Sequence, residues 1–315
     1  MVSDILTITL NPALDVSTSV PNVVAGPKLR CAVPTYDPGG GGINVSRSIK
    51  NLGGTSRAMV AYGGSTGQRL IELLSGEGIQ IEGFDIPGET RESFAVSETS
   101  TNAQFRFVMP GPNWTPDMAD AVLGRIKSLI TPDTIVVISG SEPPGVPPDF
   151  PVALVETLKG HSKGVIVDTS GPALRYLFEN PSGVDTLRMD AAEAVDLAGR
   201  QLTTRSDTAD FAAEMVASGI ANTVLVARGA DGTILVSATE KLHCSRSIQR
   251  IVSAVGAGDS FVGGYTLAVS QGKSAPDALS CGVAAASAAV MTEATKLCTQ
   301  VDAERLLPDC MLTRL

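Results

Sequence analysis

Histidine is almost missing from this chain: only His161 and His243 occur among 315 residues. A catalytic triad or a histidine-built metal centre needs imidazoles placed together, so both are argued against. His161 falls in an apparent loop beside Lys163 and Gly164, His243 in the strand-like KLHC, and both are expected at the surface or a sheet edge. Cysteine is also sparse. Cys31, Cys244, Cys281, Cys298 and Cys310 are odd in number, widely spaced and without a C-x-x-C pair, which speaks against a disulfide framework or a zinc site. The thiols are expected to be reduced and mostly buried. No run of Lys and Arg and no basic stripe appears, and the net charge is −9, so nucleic acid is excluded as a partner and any anionic ligand must be met by a few local cations. No uninterrupted apolar run approaches the ~20 residues of a membrane span. MVSDILTITL lacks a basic segment and carries Asp4 early, so a soluble cytoplasmic protein with no membrane partner is expected.

What is present is a rhythm of strand and helix. With 43% hydrophobic residues the chain can bury a sizeable core, as one large domain or one with a small accessory. ILTITL (Ile5 to Leu10) is apolar and rich in β-branched residues, ends at Asn11-Pro12, and reads as a buried strand. SRAMVAY, TIVVISG, GVIVDTS and TVLVARG repeat that character. Between such runs lie the helical patterns INVSRSIKNLGG, STGQRLIELLSGEG, TPDMADAVLGRIKSLI and PDFPVALVETLKG, the third with Thr115 as N-cap and Pro116 as first helical residue. The alternation predicts an α/β fold with a mostly parallel sheet covered on both faces. Two segments break it. Leu29 to Tyr36 and Arg91 to Val108 carry strand-like residues in close succession, the second around a Ser-Thr-Asn turn, and predict a small antiparallel sheet inserted into the core. Such a sheet can act as a lid or pair with another subunit. The expected division is a core of residues 1–10, 41–87 and 111–315, with lid segments 11–40 and 88–110.

Two glycine-rich stretches carry the chemistry. In VGAGDS (Val255 to Ser260) the backbone is nearly bare, and SFVGGYTLAVSQG behind it reads as a helix that stops at Gly272. A helix start of this kind offers unpaired N–H groups and the positive end of a dipole to an anion. Asp259 does not belong beside an anion unless a proton has to leave something there; the alternative is that it caps its helix. In DPGGGGINVSRSIKNLGG, Gly39 to Gly42 allow close approach of backbone to a polar ligand and Asn44 stands at the start of a helix, a flexible turn being the alternative. Neither a Gly-Lys-Ser/Thr sequence nor an acidic-ended second strand follows, so this is not a Walker loop or a dinucleotide fingerprint.

Together, in this order and spacing, the two stretches resemble those of the PfkB-type carbohydrate kinases of the ribokinase-like superfamily. The similarity runs through TLNPALD, GPKLRC, PGGGGINVSRSIKNLGG, AYGGSTG, TRES, FRFVMPGP, ISGSEPPG, VDTSGPAL and VGAGDSFVGG, essentially the whole chain. GPKLRC and FRFVMPG are most similar to the minor type of 6-phosphofructokinase. The resemblance implies a ribokinase-like three-layer core with a small inserted β-sheet lid. It implies transfer of the ATP γ-phosphoryl group, with Mg²⁺ and room for a monovalent cation such as K⁺, to a hydroxyl of a phosphorylated ketohexose: fructose 6-phosphate would become fructose 1,6-bisphosphate. A homodimer through the lid sheet is also implied. By the same resemblance Asp259 is the base, and the N–H groups of Gly256, Ala257 and Gly258 form the anion hole. Asp15, Gly39, Gly40 and Asn44 cradle the sugar hydroxyls, and Lys28, Arg91, Arg106 and Ser139 meet the phosphate it already carries. For Arg106 an exposed strand cation is the alternative.

The departures lie on the nucleotide side, to which Arg188, Asp190, Ala227, Arg228, Gly229 and Gly232 are assigned, with Glu193 and Asp190 toward the metal. The family's Lys-Pro-Asn-x-x-Glu is RMDAAE here, keeping Glu193 but bringing Asp190 for Asn and Arg188 for Lys. Its Ser/Thr-Leu-Gly is Ala227-Arg228-Gly229, which loses a hydroxyl unless Arg228 turns inward to replace it. The alternatives are a 1-phosphofructokinase, a tagatose-6-phosphate kinase, or a sugar-phosphate-binding regulator without turnover. Asp259, kept with its whole loop, has no use in a protein that only binds.

Overall fold

The computed structural model describes residues 2–293 and 295–315. Among these the strands are β1 (Ile5–Thr9), β2 (Ala13–Val20), β3 (Thr35–Gly39), β4 (Arg57–Tyr62), β5 (Gln80–Asp85), β6 (Arg91–Glu98) and β7 (Gln104–Val108). They continue with β8 (Ile135–Ser139), β9 (Gly164–Asp168), β10 (Val184–Asp190), β11 (Ala221–Ala227), β12 (Thr233–Ser237), β13 (Lys241–Ser245) and β14 (Met311–Arg314). The helices are α1 (Gly41–Asn51), α2 (Gly64–Gly76), α3 (Pro116–Leu129), α4 (Phe150–Leu158), α5 (Gly171–Glu179), α6 (Ala191–Ala198), α7 (Arg205–Ala217), α8 (Ala257–Ser270), α9 (Ala275–Ala289) and α10 (Gln300–Leu306). None is long and apolar enough to cross a membrane.

One sheet holds ten strands in the order β14-β13-β12-β11-β10-β9-β8-β1-β4-β5. From β5 to β11 every pairing is parallel; β12, β13 and β14 close that end antiparallel. β1 and β8 are neighbours inside the sheet and are buried on both faces, which is why ILTIT and IVVIS are apolar without alternation. Their side chains still divide by the pleat. Leu6, Ile8, Val136 and Ile138 join the core under α3 to α7, whereas Ile5, Ile135 and Val137 join the core under α1, α8 and α9. The result is a three-layer α/β fold. Thr115 caps α3 with Pro116 in the first turn.

The second sheet has the order β3-β2-β6-β7. It is mixed rather than antiparallel, because its two inner strands, β2 and β6, run parallel. β2 leaves the C-terminal end of β1 and β6 follows β5, so the chain crosses the main sheet between them and returns in the same direction; a tight hairpin would have reversed it. The other departure is in which residues pair. Leu29 to Pro34 form no strand, and all but the half-buried Pro34 are exposed, while Ala13–Val20 becomes a central strand directly after Asn11-Pro12. Two expectations about sparse residues also change. His243 is 1% exposed, with Nε2 2.5 Å from the Asp231 carbonyl, because β14 covers β13 and removes the edge. All five cysteines are free, but only Cys244 and Cys298 are buried; Cys31 is exposed in the loop before β3.

Candidate functional site

The C-terminal ends of β1, β8, β9 and β10 face the first turns of α1 and α8. The glycine run makes this approach fit. A Cβ on Gly41 would stand 2.5 Å from Ser139 Oγ and one on Gly42 2.6 Å from Thr9 Oγ1, so any side chain would push α1 off the ends of β1 and β8. Gly40 holds φ 124°, which side-chain-bearing residues rarely adopt. The run joins two elements without a loop between them: Gly39 ends β3, Gly40 is the N-cap and α1 begins at Gly41. Ile43 N–H is accepted by Thr9 Oγ1 at 2.8 Å.

α8 starts at Gly256, φ 75°, with no side chain to cap it. Its first N–H groups have no side-chain partner, and that of Ala257 donates only to the Ala254 carbonyl at 3.4 Å. Asp259, in that first turn, does not cap its own helix; Asn44 Nδ2 donates to its Oδ2 at 2.9 Å. Asn44 is itself oriented, since its Oδ1 accepts from Arg47 (3.4 Å) and Arg47 is gripped by both oxygens of Glu77 (2.7 and 2.9 Å). Burial pushes the Asp259 carboxyl up to about 7; the nearby Asp168 and Asp15 carboxylates add to this, while Asn44 and Arg188 oppose it.

Asp259 opens on a cleft of about 400 Å³ shared by Asp15, Asn44, Arg91, Arg106 and Gly256. Burial raises Asp15 to about 6 against the pull of Arg91 and Arg106, with Asp37, its register partner on β3, raising it further. Gly39 lies against the Asp15 carboxylate, where a side chain would collide with it. Arg91 stands between this cleft and a second cavity of about 540 Å³ that includes Asn11 and Ser141. Its guanidinium is held by the carbonyls of Asn11 (3.1 and 3.3 Å) and Met109 (3.3 Å).

On the opposite side, Asp190 and Glu193 form a capping box at the start of α6: Glu193 N–H donates to Asp190 Oδ1 at 2.9 Å and Asp190 N–H to Glu193 Oε2 at 2.7 Å. Glu193 is pushed up by burial and by the Asp190 charge. No group of three His, Cys, Asp or Glu able to hold a metal occurs among the described residues. Gly229 and Gly232 shape a 3-10 turn after β11. Arg188 pairs with Asp168 at 3.0 Å, next to Gly258.

Residues 8–302 match the pfkB family carbohydrate kinase pattern. The chain belongs to that family. It is 38% identical over 301 residues to the ATP-dependent 6-phosphofructokinase isozyme 2 of Mycobacterium tuberculosis, covering 96% of this chain and 88% of the relative. It is 30% identical over 314 residues to the 1-phosphofructokinase of Bacillus subtilis, covering 99% of this chain and 100% of the relative. The crystal structure of phosphofructokinase-2 from Escherichia coli in complex with potassium superposes with a TM-score of 0.92 at 35% identity, covering 98% of this chain and 99% of the other.

Against the pfkB kinase pattern three expected residues lie elsewhere. Ser139 is buried and donates to Asp168 Oδ2 at 3.3 Å instead of lining the cleft; the hydroxyl beside Arg91 is Ser141, two residues on, where the chain has left β8. Lys28 sits on an exposed loop and does not line the cleft of its own chain. Arg228 does not turn inward. Its guanidinium is fixed by Asp231 (2.9 Å) and by the carbonyls of Leu202 (3.0 Å) and Thr203 (2.9 Å), and Ala227 offers no hydroxyl in exchange. Asp168, Ser141 and Glu142 are additions. Glu142 is pushed up by burial while Thr169 Oγ1 donates to it at 2.9 Å. A carboxylate ending the apolar strand GVIVD is a signal in itself, since ligands gather at such strand ends.

Proposed function

We propose that this pfkB kinase transfers the γ-phosphoryl group of ATP to the free primary hydroxyl of fructose 6-phosphate, giving fructose 1,6-bisphosphate and ADP. The observation that carries the proposal is Asp259, a half-buried carboxylate that leaves its own helix uncapped and opens on a cleft shared with two arginines. Its proton affinity suits a general base near neutrality. Asp259 takes the hydroxyl proton as the sugar oxygen attacks phosphorus, the bond to the β-phosphate oxygen breaks, and ADP leaves. The N–H groups of Gly256, Ala257 and Gly258 receive the charge spread over the transferring oxygens. Asp15, with Gly39, Gly40 and Asn44, accepts and orients the sugar hydroxyls; Arg91, with Ser141 and Arg106, meets the phosphate already present. The isozyme 2 relatives carry the corresponding name. Mg²⁺ arriving with ATP neutralises phosphate charge when bound. Glu193 would help to hold it, since only Oε2 is used by the helix cap and Oε1 is left to a cation.

ADP release measured against fructose 6-phosphate, fructose 1-phosphate, tagatose 6-phosphate and fructose tests this. The expected order puts fructose 6-phosphate first by at least tenfold in kcat/KM. Preference for fructose 1-phosphate or tagatose 6-phosphate would reassign the acceptor, and no ADP from any of them would favour a regulator.

The proposal includes a homodimer joined lid to lid. Every residue of β7 is exposed, Phe107 by 51% and Val108 by 65%, on an edge strand of the small sheet, which is a surface that proteins usually cover. Light scattering should give twice the chain mass, and Phe107→Asp should return it to the mass of one chain; a monomer in the wild type ends this part of the proposal.

A further inference from the structure

Ser139, Asp168 and Arg188 are register partners on β8, β9 and β10, one row across three adjacent strands at their C-terminal ends. Ser139 Oγ donates to Asp168 Oδ2 at 3.3 Å and Arg188 Nη1 to Asp168 Oδ1 at 3.0 Å, so both carboxylate oxygens are engaged. The ion pair is nearly buried, with 15% and 12% of its side chains exposed. A Cβ on Gly258 would lie 3.1 Å from Arg188 Nη2 and 3.4 Å from both Cζ and Nη1, so the guanidinium lies face-on to that glycine. Its Nε is buried and has no partner among the described residues. A buried ion pair is weak evidence of stability by itself, because desolvation offsets much of its attraction. A buried guanidinium with an unused donor, set against the first turn of α8, calls for another explanation.

We propose that Asp168 is a positioning residue that aims Arg188 into the anion hole, where Arg188 contacts the transferring phosphoryl group and sets its charge against those of Asp168 and Asp15 around Asp259. The proposal rests on the kinase function above. The charged groups facing Asp259 are Asp15 from β2, Asp168 from β9 and Arg188 from β10, with the neutral Asn44 from α1. An arginine can hold a carboxylate through one edge and offer other N–H groups to a phosphate, which the compact ammonium of the family's lysine cannot do in the same geometry. Ser139, at the β8 end of the row, steadies Asp168 and thereby has a use without reaching the sugar. Without the Arg188 charge, Asp259 faces two carboxylates and holds its proton to higher pH; without the Asp168 charge the reverse follows.

The pH dependence of kcat/KM with fructose 6-phosphate and ATP separates this from a merely structural bridge, because its acid limb reports the free enzyme's base and the substrates' own ionisation is common to all variants. Asp168→Asn should move the limb to lower pH and Arg188→Met to higher pH, with Arg188→Lys close to wild type. In kcat, Arg188→Met should lose ~10²-fold or more, the size of one removed anion-hole donor, and Arg188→Lys should recover part of it. Limbs that stay fixed, or that move in the same direction in both variants, overturn the proposal even if melting temperatures fall. Should Arg188→Met not fold, a lower limb in Asp168→Asn with an unmoved limb in Arg188→Lys supports it, and an unmoved limb in both overturns it. Wild-type turnover in the same assay distinguishes the two levels: none at all refutes the kinase function itself, whereas turnover with fixed limbs refutes only the role of the pair.

Discussion

Asp259→Asn is expected to lower kcat by ~10²–10⁴-fold while leaving the KM for fructose 6-phosphate near its wild-type value, since a general base acts on the transition state far more than on ground-state binding. The substitution is almost isosteric, and Asn44 Nδ2 can donate to the new amide oxygen as it does to Asp259 Oδ2 at 2.9 Å, so the loop should stay in place. Stability supplies the control. Folding raises the Asp259 carboxyl from its ordinary 3.8 to about 7, so the folded protein holds this proton more tightly than the unfolded chain. Its contribution to stability is therefore full below pH 3.8 and is lost as pH rises through 7. The Asn variant has no charge to lose. It should melt at a higher temperature than wild type at pH 8, and the gap should close toward pH 4. Lost turnover in a protein that melts higher cannot be blamed on unfolding; near wild-type turnover would remove Asp259 from the chemistry.

Arg91→Ala should raise the KM for fructose 6-phosphate by ~10–100-fold, the loss of one charge-assisted clamp at about 1.4–2.8 kcal/mol, while the KM for ATP changes by less than about twofold. The geometry separates the two substrates. Arg91 borders the cleft proposed for the sugar and the cavity beyond it, held by the Asn11 and Met109 carbonyls, whereas the residues proposed for the nucleotide stand at the strand ends of β10 and β11. Arg91→Lys keeps the charge but not the fork, and should fall between wild type and Ala. Removing the phosphate from the substrate is the complementary change: free fructose should be turned over with kcat/KM lower by ~10³ or more, as two or more charged hydrogen bonds of about 1.5–3 kcal/mol each are lost. Efficient use of fructose would mean that Arg91 serves the fold of the lid and not the acceptor.

The central strands were legible because burial on both faces leaves a plain trace: TIVVIS and ILTIT can hardly be anything else. The start of α3 was legible for a local reason, Thr115 before Pro116. β2 was hidden by Asn11-Pro12, which looks like an ending; the chain needs only that dipeptide and its neighbours to pass from the main sheet into the small one. Asp190 is legible in another way: Asp-x-x-Glu ahead of an apolar helix is a capping pattern, and the box with Glu193 forms as that pattern dictates. The row Ser139, Asp168 and Arg188 could not be read from spacing, because the 29 and 20 residues that separate its members are crossovers whose strand order only the fold supplies. Arg228 was ambiguous for a simpler reason: a long side chain at a strand end can turn either way, and Asp231 decides it.

The proposed reaction places a second phosphoryl group on a sugar that already has one. Phosphorus NMR of fructose 6-phosphate incubated with ATP, Mg²⁺ and the protein tests it most directly. A second sugar-phosphate resonance, coupled to the two protons of the C1 methylene, should grow in step with ADP while the original C6 phosphate persists. ADP accompanied only by inorganic phosphate, or a new phosphate on any other carbon, would contradict it.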